Sequence, residues 1–310
     1  MNKVVNLYKP RGPSSFKMVL SVKKILGVKK AGHIGTLDPM AEGVLPICIG
    51  KSTRIIQFLS SLPKVYTAEM VLGTSTDSQD ATGKVTAAGG NPENISEAQI
   101  RSVFKSFLGK QNQIPPMFSA KKKQGIPLYK LARNGITIER KPVPIQIYSL
   151  EFLKKEENRV SFEVQCSAGT YIRTLCYDAG QKMGCEAHMG RLVRNRVGHF
   201  DQETSLTLEV LEAAVADESI ASKLIPVEKA LNFLPEIRIK ESFVDSIANG
   251  IAPSKSSLET IPNRFQPGMN LRVSHIDSHL LAIAEPVVDQ DAYARLAPED
   301  VAFKLKRVLI

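Results

Sequence analysis

The sequence lacks several features that would place it in common classes of protein. No apolar run approaches the roughly 20 residues that a membrane-spanning helix needs, and the opening MNKVVNLYKPRGPSS contains no apolar segment of a secretory signal. No internal repeat or low-complexity tract is present. We therefore expect a cytoplasmic chain, whose 310 residues suffice for one large domain and a small one, or for two medium domains.

Cysteine is scarce and lacks the spacing of a metal site. Cys48, Cys166, Cys176 and Cys185 lie far apart without a CxxC pair. Cys185 and His188 could offer two zinc ligands, but no second pair with suitable spacing completes the set. We therefore expect buried reduced thiols and no metal.

Acidic residues are scarce where basic residues are dense. Residues 1–54 contain ten lysines or arginines and only two acidic residues, and residues 121–141 contain seven against Glu139 alone. A third basic cluster comprises Arg191, Arg194 and Arg196. With a net charge of +10, separate basic clusters suggest a surface that follows a nucleic acid. The alternative is that these side chains are ordinary solvated faces of helices.

The hydrophobic periodicity predicts both helices and strands. Helical spacing covers residues 15–26, 53–60, 96–108, 170–183 and much of the acidic stretch 201–235. Strands are predicted over residues 44–49, 66–72 and 159–166. Because the two kinds of element do not alternate regularly, we predict an α+β fold with a large mixed or antiparallel sheet.

The pattern changes near Leu234 and Pro235. A helix over 240–249 precedes LRVSHIDSHLLAIAEP, which reads as a hairpin around 275–279, and FKLKRVLI is a further strand. We therefore expect a large domain over residues 1–232 and a small β-rich domain over 233–310, a suitable size for an appended binding module.

The stretch GHIGTLDPMAEGVLPICIGKSTR, residues 32–54, offers two candidate sites. Its end, Gly50-Lys51-Ser52-Thr53, is similar to the end of a phosphate-binding P-loop. However, Leu45 stands where the first glycine is required, and Pro46 has no N–H to donate. The apolar run before Gly50 favours a strand, so the sequence argues against nucleotide binding here.

The second candidate in this stretch is Asp38. Gly32, Gly35 and Gly43 allow tight turns and a close approach of a ligand to the backbone, and Pro39 keeps Asp38 out of a helix interior. A carboxylate on a stiff loop is a reasonable placement for catalysis. An Asx turn, in which Asp38 binds its own backbone, explains the spacing equally well.

Five segments, in order along residues 4 to about 200, resemble the motifs of the TruB family of bacterial tRNA pseudouridine-55 synthases. They are NLYKPRGPSSF, GHIGTLDPMAEGVLPICIGKSTR, KVYTAEMVLGTSTDSQDATG, IPPMFSAKKKQGIPLYKLARNG and CSAGTYIRTLCYDAG. The last 75 or so residues are similar, more weakly, to the PUA RNA-binding module of that family. The resemblance implies a pseudouridine synthase domain with a thumb-like insertion at about 118–148 and a PUA-like domain.

The resemblance also implies roles for individual residues. Asp38 matches the catalytic carboxylate, Tyr66 matches the tyrosine that stacks on the target uracil near its C5 proton, and Arg173 is expected to pair with Asp38 and keep it ionised. Further matches lie in the nucleotide pocket or on the RNA path: His33, Arg54, Tyr171 and Leu192. Lys121 and Lys122, in the insertion, are expected to contact phosphates.

This chain departs from the family pattern at three places. The family often has threonine or serine at Glu42, two arginines at Val193 and Arg194, and tyrosine at Phe118. None of these changes touches Asp38.

The function implied by the resemblance is isomerisation of uridine 55 in the T-arm loop of tRNA. The reaction neither oxidises the base nor changes its atoms, so no cofactor is implied. We expect a stand-alone monomer without an obligatory protein partner and without membrane association. The alternatives are a non-catalytic protein that binds or folds tRNA, and a guide-dependent pseudouridine synthase subunit.

Overall fold

The computed structural model describes residues 2–119, 121–275 and 279–310, without the side chains of Lys122 and Lys123. Its helices are α1 (Ser15–Ile25), α2 (Ile56–Leu59), α3 (Glu97–Lys105), α4 (Leu128–Arg133), α5 (Ile172–Lys182), α6 (Leu208–Ala216), α7 (Ile220–Lys223), α8 (Val227–Ala230), α9 (Val244–Ala248) and α10 (Gln290–Ala294). Short 3₁₀ helices cover Gly50–Ile55, Pro92–Asn94, Glu241–Phe243 and Lys255–Ser257.

The strands fall into two main sheets and two hairpins. They are β1 (Lys3–Lys9), β2 (Ala31–His33), β3 (Glu42–Ile49), β4 (Lys64–Leu72), β5 (Thr74–Thr76), β6 (Val85–Ala88), β7 (Gly109–Gln113), β8 (Lys122–Lys123), β9 (Ile126–Pro127), β10 (Val143–Glu156), β11 (Arg159–Cys166), β12 (Ala187–Val197), β13 (Phe200–Asp201), β14 (Ile225–Pro226), β15 (Glu236–Ile239), β16 (Leu258–Thr260), β17 (Leu271–Ser274), β18 (Leu280–Pro286) and β19 (Phe303–Val308).

The larger sheet is mixed, which confirms the predicted α+β class. Its strands follow the order β14-β1-β3-β12-β4-β11-β10-β7, with β2 beside β3 and β13 beside β12. The pairs are antiparallel except β3 with β12, which run parallel where Glu42 and Gly43 face Val193 and Arg194. Through this parallel contact, the start of β3, which follows the Asp38 loop, lies beside the middle of β12.

Two apolar cores cover the two faces of this sheet. One lies under α1, α3 and α5 and includes Tyr66, Phe162 and Leu192, and the other includes Val44, Phe58 and Phe200. Burial on both faces explains why β3 reads as a nearly continuous apolar run.

The chain beyond residue 235 forms the small sheet, in the order β16-β15-β17-β18-β19, with its own core around Ile237, Val273 and Phe303. β17 and β18 are antiparallel, as the hairpin prediction requires, and residues 276–278 between them lie outside the described part of the chain. Helices α9 and α10 and the strand β19 complete this β-rich unit.

The remaining predictions differ mainly in extent. The stretch 201–235 is only partly helical, since the short strands β13 and β14 interrupt or flank α6, α7 and α8. Residues 53–60 form a 3₁₀ turn followed by α2. Strand β10 begins at Val143, so residues 143–147 of the expected insertion pair with β7 in the large sheet. Residues 114–142 leave this sheet and carry the β8–β9 hairpin and α4.

Candidate active site

Asp38 lies on the loop between β2 and β3, and the N-terminal segment fastens this loop on both sides of it. Ser15, at the start of α1, donates a hydrogen bond to the carbonyl of Leu37 and accepts one from the Leu37 N–H, both at 2.8 Å. The buried Lys9 ammonium donates to the carbonyls of Pro39 and Ala41. The loop is therefore rigidly attached immediately before and after Asp38.

Arg173 approaches Asp38 from the first turn of α5. Its Nε lies 3.0 Å from Asp38 Oδ2, while Nη1 donates to the Ser78 carbonyl at 3.0 Å and Nη2 donates to the Phe118 carbonyl at 2.8 Å. Asp80 Oδ2 lies 3.7 Å from Nη1. Arg173 is only 4% exposed, so these acceptors fix the guanidinium and aim one edge at the carboxylate.

The loop that holds Arg173 is itself anchored to α5. Gln79 adopts a left-handed backbone with φ +61°, and its side-chain oxygen accepts a hydrogen bond from Thr174 Oγ1 at 2.8 Å. Asp80 accepts hydrogen bonds from Ser78 and Thr82 through its other oxygen. Two of the acceptors of Arg173, the Ser78 carbonyl and Asp80, therefore belong to a loop with a defined position.

The Asp38 carboxylate sits at the boundary between the interior and solvent, with 36% of its side chain exposed. Burial raises the pKa of Asp38, Arg173 lowers it, Asp80 raises it and Lys9 lowers it, with a net shift upward from the ordinary value. A carboxylate that is reachable from solvent and bound on one side by a fixed cation can act as a nucleophile or a base.

Tyr66 faces the same site from β4. It is buried, and burial raises the pKa of its phenol, as does the Asp38 charge, while the Arg194 guanidinium beside it opposes the rise. Tyr66 and Arg194 are register partners across β4 and β12. Asp38 and Arg173 are in direct contact, and the charge of Asp38 also reaches the Tyr66 phenol.

Arg194 corrects one part of the prediction that the basic clusters form a surface for nucleic acid, because its side chain is buried. Arg194 is 1% exposed, and its three donor nitrogens bind the carbonyls of Gly35, Thr36 and Val44. Lys9 is likewise fully buried, and Arg191 is engaged by Glu42 through hydrogen bonds of 2.7 and 3.1 Å. These side chains have partners in the protein, so they add less to an exposed basic surface than their number suggests.

Glycine is required at position 43 for a different reason from the approach of a ligand that the sequence suggested. A Cβ at Gly43, where φ is +111°, would lie 2.3 Å from the Arg194 carbonyl oxygen. The glycine is therefore required by the close approach of β3 and β12, and not by the approach of a ligand.

Tyr171 and Leu192 lie in the surroundings of the site. The side-chain amide of Gln113 holds the backbone of Tyr171, accepting from its N–H at 2.8 Å and donating to its carbonyl at 3.0 Å. The charges of Arg173 and Asp38 both influence the Tyr171 phenol, whose pKa is raised chiefly by burial. Leu192 is buried in the same core as Tyr66.

The remaining residues that were expected to contact RNA lie in different parts of the fold. His33 ends β2 and is half-buried, and its pKa is lowered by burial and by Arg194, which favours the neutral ring. Arg54 is exposed and donates to the Val308 carbonyl in the small sheet at 3.4 Å. Lys121 is exposed beside the β8–β9 hairpin. The side chain of Lys122 lies outside the described part of the chain.

Sequence reasoning missed several residues that build the site. Ser15, Asp80 and Gln113 position Asp38, Arg173 and Tyr171, but each is a common polar residue whose partner lies far away in the chain. Asp80 carried one usable signal, because it stands in the segment KVYTAEMVLGTSTDSQDATG that resembles a family motif.

Two further features, a membrane-spanning helix and a metal-binding cluster, are absent from the described residues. Among the described residues, no helix has the length and apolar character to cross a bilayer, and no three His, Cys, Asp or Glu side chains are grouped to hold a metal ion. All four cysteines are buried free thiols.

Comparison with family models places most of the chain in one family. Residues 23–172 match the model described as TruB family pseudouridylate synthase (N terminal domain), and residues 173–232 match the tRNA pseudouridylate synthase B C-terminal domain.

Several relatives match over most of their length. The tRNA pseudouridine synthase B of Clostridium acetobutylicum is 45% identical over 264 residues, covering 85% of this chain and 89% of the relative. The enzyme of the same name from Geobacillus thermodenitrificans is 43% identical over 256 residues, covering 81% and 85%.

Among solved structures, a chain of a Cbf5-Nop10-Gar1 complex superposes with a TM-score of 0.80 at 29% identity, covering 99% of this chain and 85% of that one. A chain of an H/ACA RNP bound to a substrate RNA containing 2′-deoxyuridine gives a TM-score of 0.79 at 28% identity, with the same coverage.

Proposed function

The chain belongs to the TruB family of pseudouridylate synthases, and we propose that it converts uridine to pseudouridine at position 55, in the T-arm loop of tRNA. The observation that carries this proposal is the half-open Asp38 carboxylate, held 3.0 Å from the buried Arg173 guanidinium in a matched family motif. The relatives named tRNA pseudouridine synthase B support tRNA as the substrate.

The reaction moves one glycosidic bond. The bond between N1 of uracil and C1′ of ribose breaks, a bond from C5 to C1′ forms, C5 loses its proton and N1 gains one. No atom is oxidised and no group is transferred to another molecule, so we propose that the reaction needs no cofactor. Asp38 acts on the ribose side, either by attacking C1′ or by removing a proton at C2′.

The uridine must leave the base stack before Asp38 can reach its sugar. We propose that Tyr66 and Leu192 contact the extruded base, that Tyr171 lines the pocket, and that the neutral His33 enters the opened loop. Arg173 aligns Asp38 and opposes the effect of burial on its ionisation.

The rest of the tRNA is held by surfaces outside the pocket. We propose that Lys121 and Lys122, in the insertion, bind phosphates, and that Arg54 contributes where the two sheets meet. The boundary that we propose separates a catalytic domain, residues 1–232, from a PUA-like RNA-binding domain, residues 233–310, which has its own sheet and core.

We propose that the chain acts in the cytoplasm as a monomer without an obligatory protein partner. One observation favours an alternative, because the chains of known structure that superpose on it belong to multicomponent complexes. Incubating the purified chain alone with an unmodified tRNA transcript decides between the two. Pseudouridine at position 55 supports stand-alone action, and its absence until partner components are added supports a subunit.

The catalytic assignment is tested with Asp38→Asn, which preserves the size of the side chain but removes its charge. We expect tRNA binding to be retained and tritium release from uridine labelled at C5 to stop. The matched control is Asp217→Asn at an exposed position after α6, which is expected to keep wild-type turnover. Unchanged turnover in Asp38→Asn would overturn the catalytic assignment and favour a structural Asp38. Absence of turnover in the wild-type chain, with tRNA binding retained, would favour a non-catalytic tRNA-binding protein.

A further inference from the structure

Arg194 is one of the largest fully buried side chains, and its surroundings are unusual for a cation. Its Nε donates to the Val44 carbonyl at 2.7 Å, Nη2 to the Gly35 carbonyl at 3.0 Å and Nη1 to the Thr36 carbonyl at 3.3 Å. All three acceptors belong to the β2–β3 loop or to β3 itself. They lie before and after Asp38 in the chain, so one guanidinium fixes both sides of the loop.

The same guanidinium also faces Tyr66. The two residues are paired in register on adjacent strands, and the cation beside the phenol opposes the increase in the Tyr66 pKa that burial causes. No ion pair found in residues 2–119, 121–275 and 279–310 includes Arg194. The positive charge is therefore solvated by neutral backbone oxygens, with the neutral phenol beside it.

We propose that Arg194 is a positioning residue that fixes the Tyr66 phenol relative to the loop carrying Asp38, so that both groups keep one geometry around the target uridine. This inference rests on the proposed function, because it concerns how two residues of the same proposed site are positioned.

The choice of arginine supports this role. Burying a cation without a carboxylate costs free energy, and an apolar side chain of similar volume is often better for stability alone. Arginine also offers five donors in a rigid fork, which can bind several acceptors at fixed angles. Lysine carries the same charge but cannot reproduce this geometry.

The first test is Arg194→Lys, measured by single-turnover tritium release at saturating enzyme and by tRNA binding. We expect the rate to fall by about 100-fold, as misplacement of a reactive group produces, with the dissociation constant changed by less than about threefold. Arg159→Lys is the control, because Arg159 is exposed and engaged only in a surface ion pair with Glu69. A wild-type rate in Arg194→Lys overturns the proposal, as does an equal loss in both variants.

The second test is a double-variant cycle with Tyr66→Phe. If Arg194 acts through the phenol, adding Arg194→Lys to Tyr66→Phe will cost much less than it costs in the wild-type background. Fold losses that simply multiply overturn the proposal, and so does a wild-type rate for Tyr66→Phe alone. Absence of tritium release from the wild-type chain would instead reject the proposed function itself.

A third measurement remains informative if Arg194→Lys does not fold. In ¹⁵N spectra, the Nε–H of a buried arginine exchanges slowly with water, and that of Arg194 should shift in folded Tyr66→Phe. An unchanged Arg194 signal would show that the phenol and the guanidinium do not interact, and would overturn the proposal.

Discussion

In the proposed reaction the chemistry depends on Asp38, and its neighbours influence its charge. Burial and Asp80 raise its pKa, while Arg173 and Lys9 lower it. Both proposed routes use the ionised form. The rate should therefore fall as the pH decreases through the raised pKa of Asp38, which sets the acid limb of the pH–rate profile.

Asp80→Asn tests this electrostatic account. Removing the Asp80 charge should lower the pKa of Asp38 towards its ordinary value, because the repulsion between the two carboxylates is lost. We expect the acid limb to move to lower pH, measured by single-turnover rates between about pH 4.5 and about pH 8.

The control for this variant is Asp77→Asn, in the same loop but with no place among the charges that shift the Asp38 pKa. Its acid limb should coincide with that of the wild type. A shift of the Asp80→Asn limb to higher pH would contradict the account.

Individual side chains were only partly predictable from the sequence. Asp38 and Arg173 lie far apart in the sequence, so only the family resemblance connected them, whereas the structure shows their 3.0 Å contact. Lys9 and Arg194 were counted as surface charges, because composition cannot distinguish a solvated cation from one bound to buried carbonyls. Their partners are backbone atoms, which leave no trace in side-chain patterns.

At the scale of elements, the start of α1 connects local sequence to the site. The two adjacent serines at the start of α1 have different roles. Ser14 caps the helix by accepting from the Lys17 N–H at 3.2 Å, whereas Ser15 holds Leu37, the residue before Asp38. The same turn therefore contributes to helix stability and to the position of the catalytic loop.

Replacing each serine by alanine separates these roles. Ser14→Ala should cost about 1 kcal/mol of unfolding free energy, the usual value of an N-cap, with an unchanged single-turnover rate. Ser15→Ala should cost about 1–3 kcal/mol, because it leaves the buried Leu37 N–H and carbonyl without partners, and should also slow the reaction about tenfold.

Chemical denaturation and tritium release measure the two quantities for both variants. If the two serines affect the rate equally, Ser15 has no special role in positioning the loop.

The elements with clear periodicity were predictable and the others were not. Strand β11 covers the predicted residues 159–166, and helices α1, α3 and α5 match within a few residues. Strand β1 is buried on both faces and shows no alternation, while β7, with the polar sequence GKQNQ, is a strand only because it pairs with β10 at the sheet edge. Such pairing depends on distant residues and cannot be read locally.

For the whole molecule, the two sheets are joined by a shared core. Leu280 and Ile283 of β18 pack in the same cluster as Val44, Phe58 and Leu59 from the first part of the chain. Three other residues of β18, Leu281, Ala282 and Ala284, belong to the core of the small sheet. The change in pattern near residue 235 predicted two units, but nothing in the local sequence indicated that one strand serves both cores.

This arrangement predicts that the full chain unfolds as one cooperative unit. Calorimetry should give equal calorimetric and van't Hoff enthalpies for the wild type. Ile283→Ala should cost about 2–5 kcal/mol and, by weakening the junction, should split the transition in two. Val273→Ala, in the small sheet's own core, should reduce stability without splitting it. Two transitions in the wild type would mean that the shared core does not couple the unfolding of the two sheets.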